Sequence, residues 1–446
     1  RAGDRDPRDE DRYLFLEAIL AARDHLIITW TGRDLRSNEE RPPATPLAEF
    51  MGVLDQTCPQ GENTPPTSKR LTTHHPLQAH SPSNFQTDGP PRSYDQALLA
   101  GARTALLPPE PKQPFFSTTS APSSAAEDIS LDELIRFLEG SAEYLLRRRL
   151  AVNLRDDADT IQDREPIALD GLERWQLWNQ LVQARLSGIP TTHLHEQMAA
   201  RGAVPLGYAG RQITRDWSVA VDDALAATGL LGPDGTVRRT DSPVPIALDL
   251  GEARLTGSLT QVWGDQLVHF QFSTESPRKS IRPWVELLAW AASGAAPRSL
   301  VAWRDNKKGP VLMGLNTPSD AAGTLEQLIS LFRRGSVRPL PLLPRCSDAF
   351  AKTLNATPET LEEALADPER VEEAMRRAEG FWAGGAFNRG DGDDPHVAKL
   401  FDGRFPGFRA EDGSVDPEFV EAAVALFTPL RACRLTSAKV RDWVVS

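Results

Sequence analysis

The chain has 446 residues, of which 40% are apolar and 25% charged, a composition ordinary for a soluble protein and sufficient for two or three domains that each bury a core. No run approaches the ~20 apolar residues that a membrane span requires, and no signal peptide is visible, which points to the cytoplasm. The net charge of −12 argues against a surface that binds DNA throughout, because phosphate affinity comes from Lys and Arg, yet it leaves room for a local basic channel or an acidic exterior facing a basic partner.

Three cysteines, Cys58, Cys346 and Cys433, lie far apart with no C-x-x-C, so neither a disulfide framework nor a thiolate metal cluster is expected. The chain opens at Arg1 rather than Met, in a polar run, which suggests a fragment cut from something longer. Residues 11 to 30, DRYLFLEAILAARDHLIITW, read as a helix followed by a strand. Tyr13, Leu16, Glu17, Leu20 and Asp24 fall at helical spacing, and Leu26 to Trp30 is a short β-prone run. Helix then buried strand is one step of a parallel α/β sheet. Thr31-Gly32-Arg33 forms the strand exit, and Thr45 to Leu54 predicts a short helix. Arg33 and Arg36 suit either a solvated surface or the lining of a DNA path. From Pro59 to about Ala126, Pro, Ser, Thr and Gly dominate and periodicity fades, as in a linker or a set of extended loops. His74, His75 and His80 fall there without a helix to fix them or a carboxylate or thiolate to complete a metal set, and read as structural.

A second domain begins cleanly at Ser130, which with Glu133 makes a capping box ahead of an apolar stripe at Leu131, Leu134, Ile135 and Leu138. The helix ends in Arg147-Arg148-Arg149, with Arg155 beyond, the densest basic patch of the chain. These arginines suit either a helix C-terminus or contact with single-strand phosphates or an acidic partner face. Trp175 and Trp178, at i,i+3, fit a core or subunit interface better than a base-stacking platform, since stacking sites add flanking Arg in an open groove. Val244 to Leu250 opens a sheet. Leu255 to Leu259 and Leu267 to Phe272 then predict two strands joined by a turn at Trp263-Gly264-Asp265, and a helix follows from about Pro283. Strands at Ser299 to Trp303 and Val311 to Leu315 and an amphipathic helix from Asp320 to Arg334 complete an α/β domain. The last third is mostly helical, with an acidic surface loop at Asp391, Asp393 and Asp394 that lacks the spacing of a calcium loop.

Strand, turn, strand and amphipathic helix resembles the core layout of the PD-(D/E)xK nucleases. Those enzymes place an Asp after the first strand and D/E-x-K on the second, because two carboxylates hold Mg²⁺ and the Lys assists the attacking water. Here Thr260 stands at the Asp, and the D-x-K reads Gln271-Phe272-Ser273, so no metal site of that kind can be built. Glu286, on the following helix, is a single carboxylate and does not replace it. Residues 11 to 30 resemble the late superfamily 1 helicase motif, in which an Arg contacts the nucleotide γ-phosphate. Leu20 stands at its Thr and Ala21 at that Arg, while Arg23 projects about 200° further round the helix.

A helicase remnant without its arginine, followed by a nuclease-like fold without its carboxylates, resembles RecC, the gamma subunit of exodeoxyribonuclease V. The segments that carry the resemblance are DRYLFLEA with ITWTGRDLRSNEERPP, HPLQAHSPSNF at 75 to 85, RRRLAVNLRDD at 147 to 157, EPIALDGLERWQL at 165 to 177, RGAVPLGYAG at 201 to 210 and RGDGDDP at 389 to 395. The resemblance implies the end of an inactive RecA-type helicase-like domain at 1–58, a linker at 59–126, and an inactive PD-(D/E)xK nuclease-like α/β domain with C-terminal helices at 127–446. It implies no catalytic residue, metal or cofactor of the chain's own. It further implies assembly with a RecB-like helicase-nuclease (beta) subunit and a RecD-like helicase (alpha) subunit, and a subunit that splits duplex ends, guides single strands and recognises the recombination hotspot Chi. Two other readings stand beside it: a purely structural partner-binding module, and an active nuclease using Asp265 or Glu275 as metal ligand.

Overall fold

The computed structural model describes residues 6–34, 37, 39–58, 61, 64–85, 93–108, 115, 127–154, 168–189, 191–305, 309–384, 389–401, 415–435, 440 and 443. The chain falls into two compact units, Arg1–Lys112 and Gln113–Ser446.

In the first unit, α1 (Pro7–Ala21) starts where Asp6 accepts the Arg8 N–H at 2.9 Å and Pro7 supplies a helical φ without an N–H to satisfy. It meets α2 (Thr45–Thr57) through Arg12, whose Nε and Nη2 grip the Glu49 carboxylate at 2.9 and 2.8 Å, and through an edge-on contact between Phe15 and Phe50. The Asp55 carboxylate receives the N–H and hydroxyl of Ser68, which ties α2 to α3 (Thr67–Leu71) and holds the Asp55 pKa below its ordinary value. With α4 (Gln96–Ala105), capped by Asp95, two helices form inside the stretch that composition suggested was loop. The strand expected at Leu26 to Trp30 does not form. A strand needs a neighbour for its N–H and C=O groups, and the ladder contact this unit shows among its described residues is a single bridge between Arg33 and Glu40. Leu26 and Ile27 remain exposed.

The second unit is a mixed α/β structure. It opens with β1 (Glu127–Ser130) and α5 (Leu131–Glu139), where Ser130 caps the helix by accepting the Glu133 N–H as the capping pattern predicts. After α6 (Ser141–Tyr144) the chain widens into one π-type turn over Leu145–Arg149, with Leu150 N–H donating to the Leu145 carbonyl at 3.1 Å. Three helices follow: α7 (Gly171–Leu186), α8 (Thr191–Ala200) and α9 (Gly207–Ala227). Then come β2 (Val244–Leu250), β3 (Ala253–Leu259), β4 (Val262–Trp263), β5 (Gln266–Gln271), α10 (Pro277–Ala292), β6 (Arg298–Asp305) and β7 (Gly309–Leu315). Helices α11 (Ala321–Gly335), α12 (Pro344–Leu354), α13 (Leu361–Leu365), α14 (Pro368–Glu379), α15 (Pro395–Leu400) and α16 (Pro417–Ala432) end the series.

The strands make two sheets, β1-β3-β2 and β4-β5-β6-β7. In the first, β3 is parallel to β1 and antiparallel to β2, so Leu255 lies between Ile129 and Leu248. In the second, β5 and β6 run parallel with α10 as the crossover, and β7 returns antiparallel. The expected hairpin is therefore built differently. The chain leaves β3 at Thr260-Gln261, changes sheet, and only the two-residue β4 pairs with β5, through a turn where Gly264 takes φ +65°. Helix α10 also begins at Pro277, well before the expected Pro283, which lies buried inside the helix. Its stripe Ile281, Trp284, Val285 and Leu288 recurs at i, i+3, i+4 and i+7 and packs into the main core with Leu134, Leu255, Leu267 and Val301. A second core gathers α12, α14 and α16, and a third lies between α7, α9 and the outer face of the β5–β6 pair.

Candidate functional site

Strand alternation decides what Thr260, Gln271 and Ser273, the positions that the resemblance aligns with nuclease ligands, look onto. Val268, Phe270 and Phe272 join the core beneath α7 and α9, whereas Leu267 and His269 face α10, the side on which Gln271 also falls. Thr260 and Ser273 are exposed and Gln271 half-buried. Thr260 precedes Gln261, whose carbonyl receives the Val268 N–H at 3.1 Å, so the segment that leaves β3 runs alongside β5.

Next to this edge is a chain of charges that pattern reading missed. Asp132 of α5 accepts from Arg282 Nη1 at 2.8 Å, the same Nη1 reaches Glu286 at 3.1 Å, and the other Glu286 oxygen lies 3.4 Å from Nε2 of the buried His269. Only Glu286 was singled out in the sequence. His269 sits in an apolar strand and gave no signal until α10 was placed over it. The guanidinium of Arg282 lies against Glu286 and offsets the charge of that carboxylate. Burial lowers the pKa of His269. Glu286 opposes that shift and Arg282 adds to it. Because the folded state disfavours the proton, this contribution to stability is complete above the ordinary value of 6.5 and is lost as pH falls below it. The expected result is a melting temperature that drops between pH 7.5 and 5.5 in the native protein and drops less in His269→Gln, measured by thermal melts; parallel curves would refute it.

The two carboxylates of the active-nuclease alternative are both in ion pairs with arginine: Asp265 with Arg298 at 3.1 Å, and Glu275 with both terminal nitrogens of Arg434, one of them at 2.7 Å. Among the described residues, no group of three or more His, Cys, Asp and Glu side chains is arranged to hold a metal ion.

Leu20 and Ala21, which the resemblance aligns with the helicase motif, end α1, and both are exposed, as is Arg23. Of the basic candidates, Arg33 pairs with Glu40 at 3.1 Å, and Arg36 and Arg155 lie outside the described residues. Arg147 pairs with Glu143 at 2.8 Å, and Arg149 donates to the Ser336 carbonyl at 3.1 Å, so the local structure engages two of the three exposed arginines on the π-type turn. Arg148 is the exposed remainder.

The Asp391–Asp394 segment departs from the expected surface loop. Asp391 accepts the N–H groups of Arg345 and Cys346, both at 3.0 Å, and so caps α12, while Asp394 caps α15 through the His396 N–H at 2.8 Å. Burial raises the pKa of Asp391, and the two N–H groups partly offset it. Trp175 and Trp178 also divide. Trp178 is buried in the third core, and Trp175 is 47% exposed.

A cavity of about 490 Å³ lies between α10, α12 and α16, lined by Glu275, Ser280, Asp348, Lys352, Arg431 and Arg434. Its acids and arginines neutralise one another: Arg431 binds Asp348 through two nitrogens at 2.8 and 2.7 Å. No helix among the described residues is long and apolar enough to cross a membrane.

Comparison with known proteins agrees with the sequence motifs. The family model of the RecC C-terminal domain matches residues 126–355. The RecBCD enzyme subunit RecC of Mycobacterium tuberculosis (strain H37Rv) is 33% identical over 360 residues, which cover 78% of this chain and 32% of that protein. The subunit of the same name from Mycolicibacterium smegmatis is 32% identical over 364 residues, covering 78% and 32%, and that of Escherichia coli K12 is 29% identical over 417 residues, covering 90% and 35%. The chain thus spans about a third of the length of these relatives. With the family model matching more than half of it, and the match extending in relatives well beyond that domain, the chain belongs to the RecC family.

Proposed function

We propose that this chain is part of a non-catalytic, DNA-binding and scaffolding subunit of a RecBCD-type helicase-nuclease acting in double-strand break repair. In this reading, residues 1–58 end an inactive helicase-like domain, 59–126 link it onward, and 127–446 form an inactive PD-(D/E)xK nuclease-like domain. The observation that carries it is the substitution of the whole ligand set: Thr260, Gln271 and Ser273 stand where two carboxylates and a lysine would be, and Arg282 holds the nearby Glu286. A site without a catalytic metal can contact a strand without cutting it. By family, the subunit works with RecB-like and RecD-like partners, splits the duplex at an end, guides the separated strands and reads Chi on one of them.

The test is a nuclease and ATPase assay of the full-length protein, alone and with its two partners, using Mg²⁺ and a labelled duplex end. Neither activity is expected from the protein alone, and processive unwinding is expected once the partners are added. Metal-dependent cutting by the protein alone, abolished by Asp265→Ala, would overturn the proposal.

A further inference from the structure

At the carboxyl ends of the parallel strands β5 and β6, on the face away from α10, the guanidinium of Arg304 lies 4.0 Å from the centroid of the Trp217 ring and 5.1 Å from that of Phe272. The two rings are stacked with centroids 5.2 Å apart and planes 31° apart, and Trp178 closes the group at 6.2 Å from each. Trp178 belongs to α7, and its neighbours one turn earlier on the same side of that helix are Arg174 and Trp175, both exposed. Burial lowers the pKa of Arg304, and the like charge of Arg174 adds to that shift.

Six other arginines of the unit are arranged differently. Arg282, Arg298, Arg334, Arg338, Arg431 and Arg434 each meet a carboxylate. Arg304 and Arg174 meet none among the described residues. Arg174 donates its Nε to the Asp170 backbone carbonyl, and the nearby carboxylates of Asp170 and Glu173 are occupied as the capping box of α7. In a chain of net charge −12, two arginines placed together without a counter-ion repel each other, and an arriving anion relieves that repulsion.

We propose that Arg304, Arg174 and Trp175, set on the Trp217–Phe272 stack, form a contact site for single-stranded DNA, with Trp175 stacking on a base and the two arginines meeting the adjoining phosphates. The proposal rests on the DNA-binding reading above and gives it a location. Its place over the Trp217 ring restrains the guanidinium of Arg304 in advance, so less freedom is lost when it takes up a phosphate. An acidic protein segment would use the arginines and leave the indole of Trp175 idle, whereas a nucleotide uses both.

The test measures binding of a labelled oligothymidylate to the full-length protein by fluorescence anisotropy across a salt series, for the native protein and for Arg174→Ala, Trp175→Ala, Arg304→Lys and Arg304→Ala. Arg174→Ala is expected to weaken binding severalfold and to flatten the plot of log affinity against log salt by about 0.7, one phosphate contact's worth for a single strand. Trp175→Ala is expected to weaken it about tenfold with little change of slope. Arg304→Lys should retain the slope but lose affinity, because the ammonium keeps the charge and loses the planar stack. Arg304 also packs on the aromatic group, so the surface variants Arg174→Ala and Trp175→Ala carry the test if Arg304→Ala does not fold. Native affinity and slope in both surface variants would overturn the site, as would native DNA binding combined with loss of partner subunits. A native protein that binds no oligothymidylate at all would overturn the DNA-binding reading itself.

Discussion

Trp284→Ala is expected to destabilise the second unit by about 3–5 kcal/mol, the range for removing a large aromatic from a packed core. Trp284 is fully buried at the middle of α10, the helix that crosses between β5 and β6, and it belongs to the core shared with α5, β3 and α11. Among the described residues its indole N–H has no hydrogen-bond partner, so the side chain contributes through packing. Trp284→Phe should accordingly cost much less, about 1–2 kcal/mol, because no hydrogen bond is lost and most of the ring volume stays. Urea denaturation monitored by circular dichroism measures both. Equal losses in the two variants would mean that packing at this position is not what matters.

A comparably large effect is expected where α12 meets α16. Asp348 and Arg431 are bound through two nitrogens and two oxygens, with side chains only 19% and 24% exposed. Burial raises the pKa of Asp348 despite the pull of Arg431 downward, so desolvation outweighs pairing at this carboxyl. Such a pair contributes little compared with apolar residues of similar size, yet breaking it strands a charge. Asp348→Leu or Arg431→Leu alone should therefore cost on the order of 3 kcal/mol, the low end of the range for buried pairs because some water reaches both groups. The double variant should recover most of that loss. Strict additivity in the double-mutant cycle would show that the two side chains act independently.

Much of the second unit was legible in the sequence because its signals are local. Ser130 and Glu133 announce α5, the run at Asp320 to Arg334 announces α11, and the apolar runs give β2, β5, β6 and β7 nearly as they form. The misreadings share a cause in tertiary context. Leu26 to Trp30 has strand composition, but among the described residues no strand lies beside it to pair with. Pro283 reads as a helix start because proline favours the first turn, yet its neighbours bury it deep in α10. Asp391 looked like a solvated acid, and its role as a cap for α12 depends on residues more than forty positions earlier. The assignment of Thr260, Gln271 and Ser273 to nuclease ligand positions rests on the resemblance and remains part of the proposal. His269, and the stacking of Arg304 on Trp217, could not be read from the sequence, since each depends on which side of a strand faces which helix.

The pairing of β1 with β3 has a kinetic consequence. Glu127 lies opposite Ala253, so all of α5 to α9 and β2 intervene along the chain before the two strands meet. Closing so long a loop carries an entropic cost that no local contact repays in advance, and parallel pairing of this kind forms slowly. The antiparallel β2–β3 pair, joined through Gly251, has no such barrier. Until β1 arrives, β3 presents an unpaired edge, and a newly made chain is most open to mispairing with other chains during that interval.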